Sequence, residues 1–493
     1  MTRRLGFAAL DELPSAVRPR VDPRELSVGI VHLGIGAFHR AHQAVFTEAA
    51  MAATGDLGWG VCGVSPRSRA VIDQLAPQDG LYAVLERSAA GASAQVVGAV
   101  REVVGAADDV ARVLTRIAAP RTRVITLTVT EKGYRLRPES GHLDLSDTEV
   151  VADLVGRPPR TVVGQLVRGL ERRMRADAGP ITVVCCDNLP ANGAVVQRLV
   201  ADFCDRLPDS PGLADWIARW VRFPGTMVDR IVPAAVEADR AQVTRLLGLR
   251  DEGTVVAEPF RQWVIEDDFA GDRPAWERAG VTLTDDVAPY ETMKLRLLNG
   301  SHSTLAYLGA LAGCESIADA VQTAGLGELV DRLMADEVRP TLAVPAGFDV
   351  AEYRAVLLER FANPALRHRT VQVAMDGSQK LPQRLLATAR DLLVDGRSPR
   401  LTAFAVAGWM RYVTAGHSET GAALPIDDPL AGRIAAVAAD ADSPAAVCDA
   451  LLGLTEVFGD DLSVDPVFRG LVLDGLERLT GAGVAKAVRA LLT

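Results

Sequence analysis

A change of hydrophobic pattern near residue 285 constrains the fold of this chain more than any other feature. Before it, short apolar runs alternate with segments of helical period. Strands that alternate with helices form a parallel sheet with helices on both faces. After it, nearly every segment repeats with the period of a helix. The sequence therefore predicts an α/β N-terminal domain, residues 1–284, and a mostly α-helical C-terminal domain, residues 285–493.

Composition narrows the class of function. The chain has 493 residues and a formal net charge of −10, which argues against a nucleic-acid-binding protein. No apolar run reaches the roughly 18 residues of a membrane helix. Its 6 cysteines show no paired spacing, which is typical of a reducing cytoplasm. We expect a cytoplasmic protein that binds a small molecule rather than nucleic acid or a membrane, as a monomer or a small homo-oligomer.

Two glycines follow the first predicted strand in the segment VHLGIGAFHRAH. Gly34 permits a tight turn, and Gly36 lets the backbone approach a pyrophosphate at the start of the next helix. A histidine takes the place of the third glycine of a dinucleotide fingerprint. The pattern predicts a cofactor site at Gly34, Gly36, Ala37 and Phe38. A strand-to-helix turn that binds nothing is the alternative.

Two further strand ends contribute to this prediction. The second strand runs into VSPRSR, which lacks the carboxylate that often holds the adenine ribose. Arg67 could instead accept a 2′-phosphate or be a solvated charge, so NAD is expected and NADP stays open. Thr130 and Glu131 follow a later strand, at the edge where open α/β sheets bind ligands. The nearby histidines lack a ligand set with metal-site spacing, so no metal is predicted.

A lysine, an arginine, an asparagine and a histidine interrupt the leucine-rich segment MKLRLLNGSH. At 100° per residue, Glu291, Lys294 and His302 lie on one stripe of a helix, with Asn299 at its edge. A lysine in a cleft has a lowered pKa and can exchange a proton with an alcohol. An amide can donate a hydrogen bond to a developing alkoxide. A solvated polar stripe explains the same pattern equally well.

Six segments resemble the polyol-specific long-chain dehydrogenases, the mannitol dehydrogenase family. They span nearly the whole chain in the expected order: GIGAFHRAHQ, TVTEKGY, CDNLPANG, FPGTMVDRIVP, EPFRQWVIED and MKLRLLNGSHS. The resemblance implies a Rossmann-type N-terminal domain that binds NAD, a mostly helical C-terminal domain and an active site built from both. It also implies metal-independent hydride transfer with a lysine as general acid/base.

Carried over position by position, the resemblance implies a catalytic set. Lys294 is the general acid/base, and Asn299 and Asn188 hold the reacting oxygen. His302 orients the substrate oxygen. Glu291 passes the proton to solvent.

Two C-terminal segments, RFANPALRHRTVQVAMDGSQKLPQR and VAGWMRYVTAG, are most similar to the fructuronate reductases, also called mannonate oxidoreductases. Mannitol 2-dehydrogenases have an arginine at the position that Gln372 occupies in this chain. The resemblance implies that Asp229 and Lys380 contact the substrate. A sugar acid also needs a cation for its carboxylate, and Lys380 and Arg384 share a face if their segment is helical. Arg296 is a second candidate, and each of these cations could instead form a surface ion pair.

The resemblance therefore implies an NAD-dependent interconversion of D-fructuronate and D-mannonate. Mannitol, arabinitol and altronate are alternative substrates in the same family, and the physiological direction stays open. A dinucleotide-binding protein that has lost its chemistry is a more remote alternative. The presence of Lys294, Asn299 and His302 argues against it.

Overall fold

Two units make up the chain, Met1–Ala288 and Pro289–Thr493, where the sequence predicted a second domain from residue 285. The computed structural model describes residues 2–137, 140–207 and 210–493. Within those ranges no helix combines the length and the apolar character that crossing a membrane needs.

The N-terminal unit alternates strands and helices over most of its length. Its described strands are β1 Val28–Leu33, β2 Gly60–Ser65, β3 Tyr82–Ser88, β4 Gly91–Val97, β5 Val100–Gly105, β6 Val124–Leu127, β7 Ile181–Cys185, β8 Val221–Arg222, β9 Thr226–Asp229, β10 Val255–Ala257, β11 Gln262–Glu266 and β12 Thr282–Thr284. Its described α-helices are α1 Ala37–Ala41, α2 Gln43–Thr54, α3 Ala70–Leu75, α4 Ala106–Ile117, α5 Thr148–Leu154, α6 Val162–Arg175, α7 Asn192–Cys204, α8 Leu213–Trp220 and α9 Glu237–Leu247.

Six strands form the central sheet in the order β5-β2-β1-β6-β7-β8, and all of its neighbouring strands are parallel. The four strands that the sequence predicted are β2, β1, β6 and β7, which lie side by side in the middle. The chain adds β2 and β5 on one side of β1, and then crosses to the other side of β1 to form β6. This reversal places a crevice beyond the carboxyl ends of β1 and β6, where open α/β sheets bind ligands.

Side chains of β1 alternate between the two faces of the sheet. Val31 and Leu33 pack into the core formed with α4, α6 and α7, whereas Ile30 packs with Phe46 and Met51 of α2 on the opposite face. Both faces are covered, so the strands are apolar throughout rather than alternating with polar residues.

Two smaller sheets flank the central one and were not predicted. One has the order β10-β3-β4, with an antiparallel β3–β4 hairpin, and the other has the order β12-β11-β9. Their strands are short or carry polar residues, so their sequences lack the continuous apolar runs that marked the central strands.

Helices dominate the C-terminal unit, as predicted. Its described α-helices are α10 Ala288–Met293, α11 Gly300–Leu311, α12 Ile317–Gln322, α13 Leu326–Arg332, α14 Val350–Phe361, α15 Thr370–Val373, α16 Gly377–Leu381, α17 Ala387–Val394, α18 Arg400–Ala415, α19 Ala431–Ala438, α20 Pro444–Leu452, α21 Thr455–Leu462, α22 Pro466–Ala482 and α23 Val484–Leu492. The helix α18 is buried along most of its length and packs against α11 and α22.

Three π-helical turns interrupt these helices, which the sequence did not indicate. They are π1 Lys294–Asn299, π2 Leu333–Val338 and π3 Pro382–Leu386. A π-turn closes on a hydrogen bond between residues five apart instead of four, and such turns occur frequently at functional sites. The first of them begins at the predicted catalytic lysine.

Candidate active site

The glycine turn after β1 has the geometry of a tight ligand-binding turn. Gly34 has a φ of +104°, and a Cβ at this position would lie 2.0 Å from the carbonyl oxygen of Thr128. The Thr128 hydroxyl donates to the Gly34 carbonyl at 2.8 Å, which ties the ends of β1 and β6 together. A Cβ on Gly36 would meet only the Gly34 oxygen, at 3.8 Å. Gly34 is therefore required by the fold, whereas Gly36 leaves space open.

A cavity of about 330 Å³ lies over this turn, within the N-terminal unit. It is lined by four of the predicted cofactor residues, Gly34, Gly36, Arg67 and Thr130. The other three predicted cofactor residues, among those the structure describes, lie outside this lining: Ala37, Phe38 and Glu131.

The helical segment that follows the glycine turn is divided in two. Its first part, α1, has five residues, and the backbone breaks at His42 before α2 begins. The helical period of the sequence continues across this break, so the pattern could not reveal it. The glycine turn and the adjoining strand ends, rather than a long helix, form the wall of the cavity.

Asp187 fixes the loop that carries Thr130. Its carboxylate accepts hydrogen bonds from the backbone N–H groups of Val129 and Thr130, at 2.9 and 3.1 Å, and from the Tyr134 hydroxyl at 2.6 Å. Burial raises the pKa of Asp187, while these donors act in the opposite sense. Thr130 has a φ of +69°, a strained conformation for a β-branched residue. Such strain persists where surrounding contacts hold it and is frequent at ligand sites.

The predicted catalytic residues of the C-terminal unit lie on one continuous helix, from α10 through π1 to α11. Lys294 and His302 are 8% and 9% exposed, and Asn299 is half-buried. In an uninterrupted α-helix, Lys294 and Asn299 would be about 140° apart. The additional residue in the π-turn reduces that angle to about 40° and brings His302 to within about 20° of Lys294. The turn thus moves Asn299 from the edge of the stripe onto the face of the lysine.

Aromatic and cationic groups surround the His302 imidazole. Its ring lies 5.5 Å from that of Phe361 and 4.7 Å from that of His368. Burial lowers the pKa of His302 well below its usual value, and the charges of neighbouring groups, including Arg384, Arg360 and Lys380, lower it further. The imidazole is therefore neutral at physiological pH.

Two family models match these two units. The model of the mannitol dehydrogenase Rossmann domain matches residues 28–278, and that of the mannitol dehydrogenase C-terminal domain matches residues 286–480. The chain belongs to the mannitol dehydrogenase family. The resemblance and the predicted fold class are therefore confirmed, and the chain is an oxidoreductase of this family.

Relatives in the family cover almost the entire chain. D-mannonate oxidoreductase of Escherichia coli K12 is 43% identical over 97% of this chain and 98% of its own. The uncharacterized oxidoreductase YeiQ of the same organism is 45% identical over 95% of this chain and 96% of its own. Among solved structures, mannitol 2-dehydrogenase of Pseudomonas fluorescens, in a ternary complex with NAD and D-mannitol, matches with a TM-score of 0.86 and 36% identity over 99% of both chains.

The predicted substrate residues of this family member differ in their surroundings. Lys380 donates to the carbonyl oxygens of Met375 and Val373 and lies 3.9 Å from the carboxylate of Asp376. Arg384, in π3, donates to the Ser303 hydroxyl at 3.0 Å, one residue from His302. Arg384 therefore lies close to the helix that carries His302, and the charge of Lys380 acts on the His302 imidazole.

Gly300 allows π1 and π3 to approach each other. A Cβ at this position would lie 2.7 Å from the backbone carbonyl oxygen of Arg384. This contact has no signature in the sequence, because the two segments are more than 80 positions apart.

Arg296 is better explained by its alternative interpretation, a structural ion pair. Its guanidinium donates to the carboxylate of Asp391 and, at 2.7 Å, to the Thr341 hydroxyl. These contacts favour the ion pair over a role for Arg296 as a ligand of a substrate carboxylate.

The remaining predicted residues occupy different environments. Asn188 is exposed just after β7, and Asp229 is buried at the end of β9. Glu291 is half-buried in the helix α10, one turn before Lys294. The neighbouring Asn192 has a structural role instead: its amide donates to the carbonyls of Asp187 and Thr226.

The histidines near the glycine turn pack together. His32 and His39 stack with ring centroids 3.4 Å apart. His32 contacts the Thr126 hydroxyl and the Gly34 carbonyl, and burial lowers its pKa to about 3. No group of three or more metal-ligating side chains occurs within the described ranges. These neutral rings pack beside the glycine turn that follows β1.

Proposed function

We propose that the chain is an NAD-dependent dehydrogenase that interconverts D-fructuronate and D-mannonate without a metal. The main support is the burial of Lys294 and His302 on the helix that contains π1, where helical spacing with one additional residue predicts Asn299 on the same face. A proton donor, an amide donor and a neutral imidazole on one face are the groups that reduction of a carbonyl needs. A merely solvated polar stripe would not be buried to the extent of Lys294 and His302.

The lysine carries the proton in this proposal. In the direction of reduction, protonated Lys294 donates its proton to the carbonyl oxygen, while the amides of Asn299 and Asn188 donate hydrogen bonds to the same oxygen. In the direction of oxidation, neutral Lys294 takes the proton of the hydroxyl, and Glu291 passes it to solvent. Each preorganised donor stabilises the transition state by roughly 3–4 kcal/mol at most. Neutral His302 orients the substrate oxygen without adding a charge.

We assign the dinucleotide to the N-terminal cavity. The open space at Gly36 lets a ligand approach the protein backbone closely. The cavity also lies at the strand ends where dinucleotides bind. Gly34, Gly36 and Thr130 would contact the cofactor, with Ala37, Phe38 and Glu131 beside them. A bound nicotinamide exchanges a hydride with the secondary carbon of the substrate. The related mannitol 2-dehydrogenase has NAD in its ternary complex.

The charges around His302 favour a sugar acid over a neutral polyol. The charges of Lys380, Arg384 and Arg360 each lower the pKa of this imidazole, so three cationic side chains lie near it. A substrate carboxylate would place a negative charge among them, and an arginine fork suits a carboxylate geometrically. The 43% identity to D-mannonate oxidoreductase agrees with this choice. Asp229 would accept a hydrogen bond from a substrate hydroxyl.

The test is the absorbance of reduced nicotinamide with the purified chain, NADH and either D-fructuronate or D-fructose. Oxidation of NADH with fructuronate, at a kcat/KM at least a hundredfold above that with fructose, is expected. In that assay Arg384→Ala should raise the KM for fructuronate, and Arg296→Ala serves as the matched control. Turnover of fructose alone would assign the chain to mannitol 2-dehydrogenase chemistry instead. Saturable cofactor binding without turnover of any family substrate would identify an inactive dinucleotide-binding protein.

A further inference from the structure

The cofactor cavity has an unusual balance of charge. Three of its lining residues are basic, Arg67, Lys132 and Arg160, and no acidic residue is among those that the structure describes as lining it. In many dinucleotide sites a carboxylate near the end of the second strand holds the adenine ribose hydroxyls, and it would repel a phosphate there. The sequence left the choice between NAD and NADP open at this point.

The turn after β2 is built to present Arg67. The Ser65 hydroxyl donates to the Ser68 carbonyl at 2.6 Å, and the Ser68 hydroxyl accepts from the Ala70 N–H at 3.2 Å. These bonds close the turn around Pro66 and Arg67, both of which line the cavity. Arg69 of the same turn is not in that lining and instead pairs with Asp108 at 2.9 Å.

The basic groups of the cavity are available for an anion. Arg67 is 68% exposed and lies 3.4 Å from Glu149, whose carboxylate also binds Arg135. An exposed pair of this kind is weak and easily exchanged for a phosphate. Within the described ranges, Arg160 and Lys132 form no ion pair. Arg160 directly precedes the α6 cap residue Thr161, which also lines the cavity.

We propose that this cavity accepts the 2′-phosphate of NADP(H), held by Arg67 and Arg160, so that the chain binds NADP(H) at least as tightly as NAD(H). The proposal rests on the proposed function as a nicotinamide-dependent dehydrogenase. It adds the choice between NAD(H) and NADP(H) at the adenosine end of the cofactor, which neither the glycine turn nor the catalytic helix determines. Two guanidinium groups bind the phosphate, and no carboxylate is among the described residues that line the cavity. Glu149, 3.4 Å from Arg67 and outside that lining, gives up its pair with Arg67 when the phosphate binds.

The experiment is a titration of the full chain with NADPH and with NADH, followed by the fluorescence of the reduced nicotinamide. We expect a Kd for NADPH equal to or below that for NADH at low ionic strength. The double variant Arg67→Ala/Arg160→Ala should weaken NADPH at least tenfold and NADH less than threefold. Arg69→Ala, which removes an arginine from the same turn but not from the cavity, should leave both constants within twofold.

Competition by fragments separates this proposal from the proposed function. Adenosine 2′,5′-bisphosphate should displace NADH at least tenfold better than adenosine 5′-monophosphate, and this advantage should fall with salt, because the contacts are exposed. Wild-type binding of NADPH more than tenfold weaker than that of NADH would overturn the proposal. So would equal weakening of both cofactors in the double variant. Failure of both reduced dinucleotides to bind would overturn the proposed function itself.

Discussion

Two regions, the N-terminal cavity proposed for the cofactor and the proposed catalytic helix from α10 through π1 to α11, obtain their geometry by different means. The cavity is formed by backbone: a glycine with positive φ, two adjoining strand ends and a loop held by Asp187. The catalytic helix is formed by side chains whose positions depend on one additional residue within π1. The first arrangement tolerates many side chains but few backbone changes, whereas the second depends both on its side chains and on the additional residue of π1.

The largest expected effect is on the catalytic helix. Lys294→Ala should lower kcat by about 10³-fold or more, because the proton donor is lost. The Kd for NADH should stay within twofold, since the cavity is formed by the other unit's own residues. Stopped-flow turnover and cofactor fluorescence measure the two quantities. Equal loss of both would mean that the two regions are not separable.

Replacement of Asn299 should affect catalysis, whereas replacement of Asn192 should affect stability. Asn299→Ala should lower kcat by about 10²–10³-fold with little change in stability, because its amide is needed only in the transition state. Asn192→Ala should instead lower the free energy of unfolding by about 1–3 kcal/mol, since its buried amide bonds Asp187 and Thr226. Parallel kinetics and urea unfolding test the contrast. An Asn299→Ala enzyme with unchanged kcat would refute the placement by π1.

The two glycines of the turn offer the corresponding contrast in the cavity. Gly36→Ala should fold normally but weaken NADH at least tenfold, since its methyl group enters open space that the ligand needs. Gly34→Ala should lose about 1–3 kcal/mol of stability from backbone strain, with further loss from the contact with Thr128. Thermal unfolding and cofactor titration distinguish the variants. Unchanged affinity in Gly36→Ala would mean that the ligand lies elsewhere.

The last effect concerns two buried groups of the N-terminal unit, His32 of β1 and Glu48 of α2. His32 has a pKa of about 3, so it contributes stability above pH 6.5 that is lost as the pH falls. Burial raises the pKa of Glu48 to about 7, so its contribution is present below pH 4.5 and is lost as the pH rises to about 7. Glu48→Gln removes this loss. From pH 5 to pH 7, the free energy of unfolding of the variant should therefore change more favourably than that of the wild type, by up to about 3 kcal/mol. Urea unfolding at several pH values measures this difference. If Glu48 were ionised throughout the range, the free energy of unfolding would have the same pH dependence in the variant and in the wild type.

The fold was predictable where the pattern is continuous. The central strands β1, β2, β6 and β7 are buried on both faces, so their apolar runs were recognisable. The short strands of the two flanking sheets have no such run and were missed. The break at His42 and the three π-turns were missed for a related reason, since hydrophobic period does not register the insertion of a single residue.

The candidate site was predictable in its residues but not in its arrangement. Lys294, Asn299 and His302 were selected from a segment whose helical wheel placed Asn299 at the edge. Only the π-turn brings that amide to the lysine face. Arg360, Arg160 and Gly300 were not selected, because contacts between distant segments have no signature in local sequence. Arg296 was selected on charge alone, and its partners explain it structurally.

The π-turn has a consequence for how this protein responds to deletion. Removing one residue from π1 would restore a regular α-helix, with the more favourable hydrogen bonding that α-helices have. Such a shortened chain could be harder to unfold than its parent while its amide and lysine point apart. Selection for heat resistance alone would then drive the chain away from activity, as trade-offs at strained active sites do. With the proposed roles of Lys294 and Asn299, activity and thermal stability would make opposing demands on this helix.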